Sequence, residues 1–219
     1  MPAPLTIDII SDVVCPWCYV GKRKLEAALA LKADVPVELR WRPYQLDPTI
    51  PPGGLPRREY MAKKFGSTER LAEIYERIES VGRETNIAFA FDKMERSPNT
   101  LDAHRLIRWA ASAGVQDAVV QRLFTAFFEE GADIGDHAVL LRVAGDCGMD
   151  AALVSELLAG EADKDAVRDE IAQAQRLGIN GVPFFIIGGR YAVSGAQSAE
   201  VLVKAIESAL VPGGQTAVG

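Results

Sequence analysis

Ser11-Asp12-Val13-Val14-Cys15-Pro16-Trp17-Cys18-Tyr19 joins a β-branched run to an amphipathic one. Upstream, Thr6 to Ile10 alternates weakly and predicts a short buried strand. Downstream, Leu25, Ala28 and Leu29 give an apolar helical face, and Lys22, Arg23 and Lys24 a solvated one. The helix is expected to start at about Cys15, with Pro16 in the first turn, where its missing N–H costs nothing. A cysteine at a helix N-terminus ionises more easily, because unpaired N–H groups and the helix dipole favour negative charge. Cys18, one turn on, can close a disulfide with Cys15. This geometry predicts Cys15 as the exposed attacking thiol and Cys18 as the resolving one.

Working outward, Val35 to Tyr44 alternates Val37, Leu39 and Trp41 with charged residues and predicts a second strand. Asp47 to Pro56 carries four prolines and two glycines, which excludes regular structure and marks a boundary. From Arg57 to about Gly160 the pattern is helical, broken by an extended Ile87–Phe91. Asn99, Asp136 and Ser198 are expected N-caps. The stripe Val119, Val120, Leu123, Phe124, Phe127, Phe128 reads as helix-on-helix packing rather than a cofactor pocket. Asp163 to Leu177 predicts another helix. The run 181–195 predicts a hairpin turning at Gly188-Gly189, before a last helix and a frayed tail, VPGGQTAVG.

The 219 residues are 48% hydrophobic and 25% charged, an ordinary globular composition that excludes disorder and low complexity. The net charge of −6 opposes a grip on phosphates, so no nucleic-acid partner is expected. No apolar run suffices to span a bilayer and no basic-then-apolar leader opens the chain, so no membrane partner and a cytoplasmic location are expected. Three cysteines cannot build a disulfide scaffold. Zinc would need two ligands beyond the pair, with only Cys147, His104 and His137 on offer, so no metal is expected. Cys147 reads as a structural free thiol, with a Cys15–Cys147 pairing left open.

Three motifs in order, SDVVCPWCYVGK (11–22), SPNTLDAHRLIRWA (97–110) and GVPFFIIGGRYAVSGAQ (181–197), resemble the DsbA family of thioredoxin-fold oxidoreductases, and within it the FrnE-like branch. Relatives of that branch include 2-hydroxychromene-2-carboxylate isomerases and kappa-class glutathione transferases. The resemblance spans about Thr6 to Leu210. It implies an α/β thioredoxin-like fold, a central mixed sheet with flanking helices, carrying a large all-helical insertion. The expected domains are 1–56 with 161–219, and 57–160 as the insertion.

The resemblance further implies a cis Val182–Pro183 peptide facing the cysteines. Pro183 then leaves the Val182 backbone free for an extended substrate or for glutathione, and blocks metal binding by the thiols. Glutathione-binding relatives without redox chemistry carry serine where this chain has Cys15. Asn99 and Ser194 match segments that line the site in those relatives, with helix capping the competing explanation for Asn99. His104 reads as a polar residue on a partly exposed helix face. The family's buried carboxylate position is Ile9 here. Asp8 points to the opposite face, so Asp12 becomes the candidate for proton transfer to Cys18.

The expected function is a thiol–disulfide oxidoreductase with Cys15 as nucleophile and Cys18 as resolving thiol, supported by Pro16, Trp17, Pro183 and Asp12. Its substrate is a thiol or disulfide, protein or small molecule. The alternative is a glutathione-dependent isomerase or transferase acting on a small aromatic molecule. No tightly bound cofactor is expected, glutathione enters only as a co-substrate, and a homodimer is admitted.

Overall fold

A computed structural model describes residues 3–211. The chain runs β1 (Leu5–Ser11), α1 (Pro16–Ala30), β2 (Val37–Pro43), β3 (Leu55–Pro56), α2 (Arg57–Phe65), α3 (Thr68–Glu84), β4 (Arg96–Ser97), α4 (Leu101–Ser112), α5 (Gln116–Phe128), α6 (His137–Asp146), α7 (Ala151–Ala159), α8 (Lys164–Arg176), β5 (Phe184–Ile187), β6 (Tyr191–Ser194) and α9 (Ala199–Leu210). Apart from Val211, the tail expected to fray lies outside the described residues. No described helix is long and apolar enough to cross a membrane.

The sheet is mixed, in the order β2-β1-β5-β6. β1 runs parallel to β2, with Ile9 opposite Trp41, and antiparallel to β5, with Ile9 opposite Phe185. Central β1 alternates as its sequence suggests: Ile7 and Ile9 are buried on one face, while Asp8 on the other is partly exposed and accepts from Arg42. The hairpin β5–β6 turns through Gly188 (φ 60°) and Gly189 (φ 66°), a left-handed pair that side chains would strain. β3 and β4 form a two-residue antiparallel ladder, so the end of the proline-rich loop is paired after all. The extended piece expected over Ile87–Phe91 is corrected: 87–90 joins no ladder, and Phe91 opens a short 3-10 turn, Phe91–Lys93.

The segment 57–160 sits on α1 through an aromatic cluster. Tyr19, wholly buried on α1, stacks on Phe124 of α5 at 4.9 Å between ring centres and meets Phe89 edge-on at 6.1 Å. Its hydroxyl donates to Glu129 at 2.5 Å. Burying each ring contributes about 2–3 kcal/mol, against at most about 1 kcal/mol for an exposed ion pair, so the rings dominate this seam.

Lys22 is a correction. It is not on a solvated face: it is 2% exposed, with its ammonium on Asp117 of α5 at 3.0 Å and on Glu26. Trp41 Nε1 donates to the same Asp117 at 3.0 Å. Paired carboxylates, one from a different part of the chain, make that burial tolerable. The capping expectations divide. Asp136 caps α6 by accepting from Ala138 N–H. Thr100, not Asn99, is the N-cap of α4, while Asn99 accepts from Leu101 N–H one residue earlier. Ser198 occupies the N-cap of α9 without accepting a helix N–H.

Candidate functional site

Cys15 is the extended N-cap of α1, and Pro16 follows in the first turn. The turn is closed by Cys15 N–H to Asp12 O at 3.0 Å and Cys18 N–H to Cys15 O at 3.0 Å. The Val182–Pro183 peptide is cis, and the Cys15 thiol donates to Val182 O at 3.6 Å. Among the described residues the Val182 N–H donates to nothing. Gly21 makes this approach possible: a Cβ there would lie 2.9 Å from Pro183 Cγ and 3.3 Å from Phe185 Cζ. Any side chain at 21 would push the Pro183 loop off the cysteine turn.

The expectation of an exposed Cys15 is corrected. It is 4% exposed, because residues of 57–160 roof the turn. It nevertheless lines a cavity of about 400 Å³, together with Trp17, Val182, Ile78 and Phe127. Cys18 sits behind it, buried and off the cavity wall. Burial, and then the neighbouring Cys15, push the Cys18 thiol well above its ordinary value, with the Ser11 hydroxyl and the Asp12 backbone pulling the other way. One thiol therefore faces a ligand-sized space and the other is held protonated beneath it.

Asp12 lines the cavity and is almost fully buried, but Cys18 meets its backbone rather than its carboxylate. The carboxylate accepts from Leu46 N–H at 2.8 Å and lies 3.4 Å from His104 Nε2. His104 is the second correction here. It is 3% exposed, not on a partly exposed face, and its Nε2 donates to Tyr44 O at 2.8 Å. Asn99 and Ser194 are off the cavity wall. The Asn99 amide donates to Ile50 O at 2.6 Å, so it ties the 45–50 loop to the start of α4. Ser194 is exposed in β6 opposite Phe184. Cys147 is the C-cap of α6 and also lies off the wall.

Several wall residues were not expected at a site: Arg57 and Tyr60 of α2, Ile78 of α3, whose helical spacing reads only as packing, and Phe91. Phe127 and Phe128 were read as packing and do both jobs. Helical spacing marks an apolar face but cannot tell whether that face meets a neighbour or a void.

A family model described as a DSBA-like thioredoxin domain matches residues 6–207. The chain belongs to the DSBA-like thioredoxin domain family. Its members are oxidoreductases or isomerases acting on thiol or disulfide substrates. This DSBA-like chain is 32% identical over 205 residues to the uncharacterized protein YwbO of Bacillus subtilis, covering 91% of this chain and 94% of that one. It is 32% identical to a structure described as a probable DsbA oxidoreductase from Streptomyces coelicolor, with a TM-score of 0.86 over 98% of this chain and 93% of that one. It shares its fold with the cytosolic disulfide reductase DsbM of Pseudomonas aeruginosa, solved with GSH, at 19% identity and a TM-score of 0.62 over 92% and 94% of the two chains.

Proposed function

We propose that this protein is a thiol–disulfide oxidoreductase in which Cys15 attacks and Cys18 resolves. The observation that carries the reading is the asymmetry of the two thiols, one on the cavity wall and one sealed and protonated behind it. The Cys15 thiolate attacks one sulfur of a substrate disulfide, forming a mixed disulfide and releasing the other half as a thiolate. Cys18 then loses its proton and attacks the Cys15 sulfur. That releases the second half as a thiolate and leaves a Cys15–Cys18 disulfide, which an external thiol reduces. The substrate is reduced by two electrons and the protein oxidised by two; the reverse order oxidises a substrate dithiol. Segment 57–160 acts as the insertion domain that roofs the thioredoxin-like part and sets substrate choice, a role supported by the wall residues it supplies from α2, α3 and α5.

The test is a trap. Cys18→Ala should accumulate the mixed disulfide on Cys15, visible by intact mass as one bound substrate half; an unmodified protein after incubation with disulfides would sink the reading. The pH dependence follows from the raised Cys18 thiol. Below its pKa the thiolate fraction grows about tenfold per pH unit, so single-turnover release should keep accelerating past pH 9.0, the ordinary thiol value. A plateau below about pH 8 would mean that Cys18 is not held protonated during exchange.

A second reading is a glutathione-dependent isomerase or transferase acting on a small aromatic molecule, with Cys15 only positioning the glutathione sulfur. The roofed cavity of small-molecule size favours it, and the glutathione-bound DsbM shows one relative of the fold with that ligand. Cys18→Ser separates the two, since only this reading keeps the principal activity while insulin reduction is lost.

A further inference from the structure

The cavity beside Cys15 has a mostly apolar wall, with Trp17, Ile74, Ile78, Phe91, Phe127 and Phe128 prominent. Four charged side chains also reach it: Asp12, Asp47, Arg57 and Lys64. Three of them are engaged. One Asp12 oxygen takes the Leu46 amide, while its Oδ1, 3.4 Å from His104 Nε2, is buried without a hydrogen-bond partner. Asp47 accepts from Thr49 and from the Tyr60 hydroxyl at 2.9 Å. Lys64 donates to the same Tyr60 hydroxyl at 2.9 Å.

Arg57 is different. Among the described residues no carboxylate lies within ion-pair distance of it. Its guanidinium lies 5.8 Å from the Tyr75 ring centre and 5.7 Å from that of Phe127, and one Nη donates to Tyr75 Oη at 3.1 Å. Its Nε is buried with no partner. A guanidinium carries five N–H donors in a planar fork that fits a carboxylate, and leaving such donors unpaired in an apolar wall costs stability. Aromatic faces hold the cation in place and, apart from the Nη on Tyr75, leave its in-plane donors available to a ligand.

We infer that Arg57 is the anion-reading residue of this cavity and that the substrate is an aryl thiol or disulfide bearing a carboxylate. The inference rests on the thiol-exchange reading of Cys15. Glutathione fits the wall less well. Its amine and two peptide groups would be stripped of water against aromatic rings, whereas an aryl body is at home there. The carboxylate replaces the hydrogen bonds that Arg57 lacks.

The test uses matched disulfides and the full chain. Dithiodibenzoate, its neutral diamide and glutathione disulfide are mixed in turn with the reduced protein, and Cys15 exchange is timed in wild type, Arg57→Gln and Arg57→Lys. Each variant is compared with wild type on the same disulfide, which cancels intrinsic reactivity. Arg57→Gln should slow the dibenzoate about tenfold or more and the diamide less than twofold, with Arg57→Lys, which keeps the charge but not the fork, recovering only part of the loss. Equal losses on both aryl disulfides, or none on either, overturns the inference. So does a glutathione disulfide rate that exceeds the dibenzoate rate and does not respond to Arg57.

A calorimetric arm uses the unreactive thioether dicarboxylate. Binding that Arg57→Gln weakens tenfold, in a protein that exchanges none of the disulfides, keeps the anion site and sinks the thiol-exchange reading. Exchange without Arg57-dependent binding does the opposite.

Discussion

Cys15→Ser should drop disulfide exchange to the uncatalysed background, a loss on the order of a thousandfold or more. A serine hydroxyl is not ionised near neutral pH and cannot form the mixed disulfide. Cys18 cannot take over, because it is buried off the cavity wall and its thiol is held well above the ordinary value. Cys147 is no substitute either, as it closes α6 away from the wall and burial raises its thiol as well. The change removes little volume from a site that already borders a cavity, so the fold should survive and circular dichroism should be unchanged. The measurement is insulin reduction with a dithiol as reductant. If a tenth of the wild-type rate persists, another thiol is the nucleophile and the assignment of Cys15 is wrong.

Arg105→Met should produce the largest loss of stability, about 3 kcal/mol, read as a melting temperature lower by roughly 10 °C. Arg105 is wholly buried. Its guanidinium donates to the carbonyls of Leu157, Leu158, Gly160 and Ala162 and to the Asp102 carboxylate. The last carbonyls of a helix have no partner within the helix, and Arg105 of α4 supplies one for the end of α7. Methionine fills much of the same space but donates nothing, so each buried carbonyl is left to find water or go unpaired. The charge itself contributes less than the orphaned acceptors, because burying a guanidinium carries its own cost. A loss below about 1 kcal/mol in urea unfolding would show that the α7–α8 connection does not depend on this cap.

Arg105 and His104 show how far the sequence carries. Both lie in SPNTLDAHRLIRWA, and the helix there is legible from its period. The carbonyl acceptors of Arg105 are more than fifty positions away, and His104 meets Tyr44 O across 60 positions. No spacing rule contains those partners. Lys22 fails for the same reason: on α1 alone it sits among Arg23 and Lys24 as solvated charge, and Asp117, 95 positions on, joins Glu26 in making its burial tolerable. Asn99 was legible as a residue that satisfies backbone groups, but whether it also faced the cavity depended on the path of the 45–50 loop.

What the sequence determined by itself is local. The β-branched run before Cys15, the proline after it, the hairpin at Gly188-Gly189 and the apolar stripes follow from backbone preference and period, which neighbouring residues set. The tertiary structure decided which face meets which. It sealed Cys18, roofed Cys15, and left Arg57 on the wall with a buried Nε that finds no partner among the described residues. These outcomes turn on contacts between residues far apart in the chain, and a polar or apolar side chain announces its own chemistry but not its partner.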